Sequence, residues 1–191
     1  MDSRFGSIDG VISTVAGYTG GDEDGPSYRS LGGHTEALLV VYDPSRVTYP
    51  ELLEVFWSAH DPYSNTPMRQ YRNAVFVADA GQRAAVEQAL RVLEERTGQP
   101  VRTDVEVAGP FFAAEDYHQK YSLRQQGSLY RELRSLYPGE VEFLASTAAA
   151  RINGILGGHG SLEQLRREID GFGLSVVGRD ALLAAAQGML R

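Results

Sequence analysis

VISTVAGYTGGDEDGPSYRSLGGHTEALLVVY, residues 11–42, decides how the chain is to be read. Both of its ends are strand-like. Val11 to Tyr18 (VISTVAGY) is rich in β-branched residues, which suit a pleated backbone, and His34 to Tyr42 (HTEALLVVY) is a second strand. Leu38 to Val41 are apolar on both faces, as in a central strand. Between the two, Tyr18 to Glu36 holds Gly20, Gly21, Gly25, Gly32 and Gly33, too much glycine for a core element. A compact domain rarely keeps a long irregular loop without a use for it. This one carries three side chains suited to acid–base work: Tyr28, His34 and Glu36. Period-two alternation sets His34 and Glu36 on one face with Leu38 and Val40, so both polar groups project at the strand's entrance above an apolar row.

Upstream, Phe5 and Ile8 at i, i+3 predict the end of a helix, stopped by Gly10. Downstream, Tyr42-Asp43-Pro44-Ser45 is a turn, and Thr48 with Glu51 forms a capping box. The helix after it buries Tyr49, Leu52, Leu53, Phe56 and Trp57 and ends at His60-Asp61-Pro62. Asn73 to Ala78 is a strand, and Asp79 caps a helix striped by Val86, Ala89, Leu90 and Leu93 that Gly98 closes. Val101 to Val107 alternates, which predicts a half-exposed antiparallel edge strand. From Glu115 the chain reads as helical: AEDYHQKYSLRQ and SLYRELRSLY, then a C-terminal module whose amphipathic helices are SLEQLRREI and RDALLAAAQGML. This order predicts an α/β (α+β) fold, one layer of helices on a mixed sheet.

The 191 residues suffice for one domain with an appendage. With 42% hydrophobic and 23% charged residues, bulk disorder is excluded. A formal net charge of -7 argues against a nucleic-acid or anionic-membrane surface. No apolar run reaches the ~20 residues of a membrane span, and MDSRFGSIDG has no signal-peptide pattern, so the expectation is a cytoplasmic protein. There are no cysteines, which removes disulfides, thiolate metal sites and thiol nucleophiles.

The polar residues support several chemistries when taken bare. His34 and Glu36, with His60, Asp61 and His118, are a candidate metal set, but the histidines are scattered and lack metalloprotease-like spacing. The glycine loop matches neither phosphate-binding fingerprint and opens a strand rather than a helix. Tyr18, Tyr28 and Tyr71 are also readable as core aromatics with a wet hydroxyl, the commoner fate of tyrosine.

A family resemblance separates these readings. GYTGG (17–21), PSY (26–28), GHTE (33–36), YDP (42–44), LLEVFW (52–57), HDP (60–62), RQYRNAVF (69–76) and AEDYHQKY (114–121) follow one another in order. Together they resemble the A-type peptide methionine sulfoxide reductases, from near Arg4 to about Tyr121. The resemblance implies a ferredoxin-like two-layer sandwich over residues 1–137, with 138–191 a C-terminal helical extension. It implies reduction of methionine-S-sulfoxide, free or in peptides, with a thioredoxin- or glutaredoxin-type thiol donor and no cofactor. Glu36 would be the acid that protonates the departing oxygen, held protonated by apolar burial. Tyr28 and Tyr71 would hold the sulfoxide oxygen, with His34 in support.

Two departures accompany the resemblance. The family's GCFWG motif, which carries the nucleophilic cysteine and two pocket aromatics, would stand just before the match to SRFGSIDGV. The strand leading into it would occupy the middle of the sheet. Met1 falls in register where that motif ends, so the expectation is that Met1 is an internal methionine of a longer reading frame. The loop from His60 to Arg69 is also short, and the family's substrate-binding aspartate has no counterpart in YSNTPM. As written, the chain is expected to be inactive. The alternatives are a pseudoenzyme that binds sulfoxide peptides and a purely structural domain.

Overall fold

The structure, a computed structural model, describes residues 1–22 and 25–190, so Glu23 and Asp24 of the glycine-rich loop lie outside the described residues. In chain order its elements are α1 (Asp2–Gly6), β1 (Val11–Thr19), β2 (Thr35–Tyr42), α2 (Tyr49–Trp57), β3 (Ala74–Val77), α3 (Ala80–Thr97) and β4 (Asp104–Val107). They continue with β5 (Phe112–Ala113), α4 (Tyr121–Arg124), α5 (Gly127–Leu136), α6 (Glu140–Ala145), α7 (Thr147–Leu156), α8 (Leu162–Glu168) and α9 (Val176–Met189). The fold is mixed α and β. None of the described helices is long and apolar enough to cross a membrane.

The strands fall into two sheets, one ordered β2-β1-β5 and the other a β3-β4 pair, instead of one mixed sheet. β1 is therefore the central strand and β2 an edge, with Leu39 and Val41 exposed. The final alternating strand also differs from expectation: β4 runs parallel to β3, pairing Ala74 with Asp104 through Val77 with Val107. An 18-residue helix joins them, and a crossover of that kind returns a strand parallel.

The described residues group into two compact units. One comprises Ala16–Leu39 and Val47–Glu115. Here Thr48 caps α2 with both capping-box bonds formed, and hydrogen bonds from Thr48 hold the Glu51 carboxyl below its ordinary range. Leu53 and Trp57 of α2 pack with Val77, Val86 and Leu93. Asp79 caps α3, and Gly98 ends it in the left-handed region at φ 71°.

The other unit comprises Met1–Val15, Val40–Arg46 and Asp116–Arg191. Its core is α7, buried from Ala148 through Leu156, among Leu129, Leu133, Phe143, Leu165 and Leu182. α6 and α7 lie in the stretch read as a helical extension but are not singled out within it, and the predicted helix AEDYHQKYSLRQ is instead a 3₁₀ turn, Asp116–His118, followed by the four-residue α4. α1 lies backbone to backbone on α7. A Cβ on Gly6 would sit 2.4 Å from the Ala150 carbonyl oxygen, and one on Gly154 would sit 2.5 Å from the Ser7 nitrogen. The N-terminal end of α1 is tied by Lys120, whose fully buried ammonium donates to Asp2 Oδ1 (3.1 Å), Thr14 Oγ1 (2.7 Å) and the Thr14 carbonyl. Burial pulls the Lys120 ammonium below its ordinary range, against the opposing pull of Asp2. Gly6→Ala is expected to cost about 1–3 kcal/mol, because the added methyl meets backbone that cannot turn aside. Chemical denaturation checks this, with an unchanged midpoint as the contrary result.

Candidate active site

Three of the four sequence-predicted residues come together. Tyr28 stands in a tight turn in which Ser27 and Ser30 exchange backbone hydrogen bonds, both 3.0 Å. Tyr71 ends a single 3₁₀ turn, Arg69–Tyr71, and its hydroxyl lies 3.4 Å from that of Tyr28. Both rings are open to solvent, at 42% and 50% exposure, so the two hydroxyls can be reached by a ligand. Glu36, in β2, accepts a hydrogen bond from Gln70 Nε2 at 2.8 Å, beside Tyr71 in the same turn. The Tyr71 phenol is held above its ordinary range, first by the hydrogen bond to Tyr28, then by lost solvation, and last by charge on Tyr28 and Glu36.

Two expectations need correction. The Glu36 carboxyl is exposed, not enclosed by apolar groups, and it accepts from the Gln70 side chain. His34 does not share that surroundings: it is 2% exposed, and its ring meets Phe112 edge-on at 5.5 Å. Its Nδ1 lies 2.6 Å from the Leu31 carbonyl, which can only accept, so Nδ1 carries the hydrogen. His34 therefore closes the end of the loop through the Leu31 carbonyl.

The candidate metal set does not assemble. His60 is engaged with the Phe56 carbonyl (2.9 Å) and Thr103 Oγ1 (3.1 Å), and burial pulls its pKa down. Among the described residues, no three His, Asp or Glu side chains are placed to hold an ion.

Several residues that shape the site carry no signal in spacing or periodicity. Arg69 donates from Nε to the Gly33 carbonyl (2.9 Å) and from Nη2 to the Gly20 carbonyl (2.7 Å), stapling the two ends of the glycine-rich loop. Arg72, almost buried, reaches Thr35 Oγ1 (2.9 Å), Asp104 (2.9 Å) and Glu106 (2.5 Å). It thus fixes the strand position just before Glu36, and the Glu106 hydrogen bond keeps its guanidinium firmly charged. Both arginines lie in the RQYR stretch that frames Tyr71, which was the available hint. The arrangement sets two exposed phenols beside an exposed carboxyl, a set that can hydrogen-bond a polar oxygen.

The family model described as peptide methionine sulfoxide reductase matches residues 1–149. A peptide methionine sulfoxide reductase of Drosophila melanogaster is 36% identical over 176 residues, covering 91% of this chain and 70% of that protein. Peptide methionine sulfoxide reductase A5 of rice, Oryza sativa, is 37% identical over 163 residues, covering 80% of this chain and 61% of its own length. Among solved structures, the reduced form of Mxr1 from Saccharomyces cerevisiae aligns with a TM-score of 0.57 at 27% identity, over 62% of this chain and 74% of that one. Methionine sulfoxide reductase A of Corynebacterium diphtheriae aligns at 0.51 with 32% identity, over 62% and 65%.

Proposed function

The chain belongs to the peptide methionine sulfoxide reductase family, and from that premise we propose that its site serves the reduction of methionine-S-sulfoxide, free or in a peptide, to methionine. The observation that carries the proposal is the pair of hydroxyls, Tyr28 and Tyr71, brought within 3.4 Å from positions 43 residues apart, next to Glu36. The sulfoxide oxygen is a strong acceptor. Two phenol donors bind it, and they bind it better as the S–O bond breaks and charge gathers on oxygen. Glu36 is the proton source that the family resemblance implies, a role that requires the bound substrate to cover its carboxyl, while His34 holds the end of the loop from which β2 begins.

The reaction moves one oxygen between two sulfurs. A thiol attacks the sulfoxide sulfur, the S–O bond breaks, and the products are a thioether and a sulfenic acid. Two further thiols, from a thioredoxin- or glutaredoxin-type donor, return the sulfenic acid to thiol, releasing water and forming a disulfide. No cofactor enters. The attacking thiolate is not supplied by these 191 residues, which hold no cysteine.

That absence favours a second reading, a module that binds methionine sulfoxide without reducing it. Both readings require the same oxygen-binding groups. Calorimetric titration with N-acetyl-methionine-S-sulfoxide amide tests them together. Binding heat is expected, and Tyr71→Phe should weaken binding about tenfold, the worth of one hydrogen bond to the ligand. A native chain that gives no heat would return the protein to a purely structural role.

A further inference from the structure

Tyr28 lies in an open turn of a glycine-rich loop, where an exposed ring would ordinarily sample many positions. Something must hold it opposite Tyr71. Its tether begins at Gly17, where a Cβ would lie 2.3 Å from both the Phe112 carbonyl oxygen and the Phe111 ring. Only glycine lets β5 come this close to β1. The strands then pair Gly17 with Ala113 and Tyr18 with Phe112, and the Ala114 amide donates to the Ala16 carbonyl at 2.9 Å. The next residue is Glu115. Its Oε2 accepts from the hydroxyl of Tyr18 at 2.7 Å, and its Oε1 accepts from the backbone amide of Tyr28 at 3.0 Å. Tyr18 is 2% exposed, so one end of this bridge is anchored in a buried strand and the other in the turn that carries Tyr28.

We propose that Glu115 is the positioning residue of this site, fixing Tyr28 through its backbone amide so that the Tyr28 hydroxyl faces that of Tyr71. The proposal rests on the reading of these two hydroxyls as the oxygen-binding pair. A carboxylate is the group this task requires. It is acceptor-only, so it takes both donors at once, and charge-assisted hydrogen bonds are the stronger kind. Glutamine in its place offers one acceptor and turns an NH₂ group toward the other donor. A held Tyr28 also spares the ligand the entropic cost of ordering the turn when it binds.

The test uses the 191-residue chain and the variants Glu115→Gln, Glu115→Ala, Tyr28→Phe and Tyr71→Phe. Ionisation of Tyr71 is followed by NMR of ¹³Cζ-labelled tyrosine, with Tyr71→Phe assigning the resonance. Affinity for N-acetyl-methionine-S-sulfoxide amide is measured on the same samples. The Tyr71 phenol titrates above its ordinary range because Tyr28 is bonded to it. In both Glu115 variants its midpoint should move down toward the value seen in Tyr28→Phe, and affinity should fall about tenfold. A loss of packing alone would not move that midpoint in a folded protein. If Glu115→Ala does not fold, the near-isosteric Glu115→Gln carries the experiment. An unmoved Tyr71 midpoint in folded Glu115→Gln overturns the proposal, as does a moved midpoint with unchanged affinity. A moved midpoint in a chain whose native form binds no sulfoxide leaves Glu115 as the holder of Tyr28 and overturns the functional reading instead.

Discussion

Incubated with N-acetyl-methionine-S-sulfoxide and dithiothreitol, the 191-residue chain is expected to leave the sulfoxide unreduced. The same chain preceded by a strand-forming segment ending in Gly-Cys-Phe-Trp-Gly is expected to reduce it. The difference follows from the nucleophile. Attack on a sulfoxide sulfur needs a soft anion, a thiolate, and the 191 residues hold no cysteine to supply one. Dithiothreitol in solution has no approach organised for it, whereas a thiol held at the site gains the advantage of proximity, which reaches ~10⁵ M or more in effective concentration. In the cysteine-bearing form Glu36→Gln should then slow the reaction about a hundredfold or more, the usual worth of a placed general acid. Chromatographic detection of the thioether product reads all three proteins. Turnover by the cysteine-free chain would contradict thiolate attack, and full activity in Glu36→Gln would remove Glu36 from the acid role.

The largest loss of stability is expected from Arg151→Ala. Arg151 is 2% exposed and rises from the middle of α7. Its Nη1 donates to the carbonyls of Gly6 (2.9 Å) and Ile8, where α1 ends, and its Nε lies 2.7 Å from Glu168 Oε2 as an ion pair. Truncation strands two carbonyls and a carboxylate whose side chain is only 23% exposed. Breaking a buried pair by removing one partner costs about 3–5 kcal/mol. At about 2–4 °C per kcal/mol for a chain of this size, the melting temperature should drop by roughly 6–20 °C. A change of under ~1 kcal/mol, within the range of surface ion pairs, would show that Arg151 does not hold α1 on α7.

The local rules of the chain were readable where the signal is local. The Thr48–Glu51 capping box, the Asp79 cap and the Gly98 stop all stand where the residue types place them, because each depends on partners within a few positions. The failures share a cause as well. α7 is buried from Ala148 through Leu156, so no exposed polar face marks it as a surface helix, and Asn153-Gly154 looks like loop punctuation. The alternation in Val101 to Val107 reports a half-exposed strand but says nothing about its direction, which α3 sets. Glu115 was hidden inside a stretch that looked helical, while its carboxylate reaches back 97 residues to Tyr18. Tyr28, Tyr71 and Glu36 are proposed as site residues through the order of eight short motifs. Neither period nor composition brings together residues 43 positions apart.

The central claim is that Tyr28, Tyr71 and Glu36 recognise an oxygen bound to sulfur. NMR titration of the 191-residue chain with N-acetyl-methionine-S-sulfoxide amide, set against N-acetyl-methionine amide, tests it most directly. The two ligands differ by that one oxygen. The prediction is that the sulfoxide shifts the Tyr28 and Tyr71 resonances in a saturable way and that the thioether does not. Equal responses to both ligands, or shifts that leave the two tyrosines untouched, would contradict it.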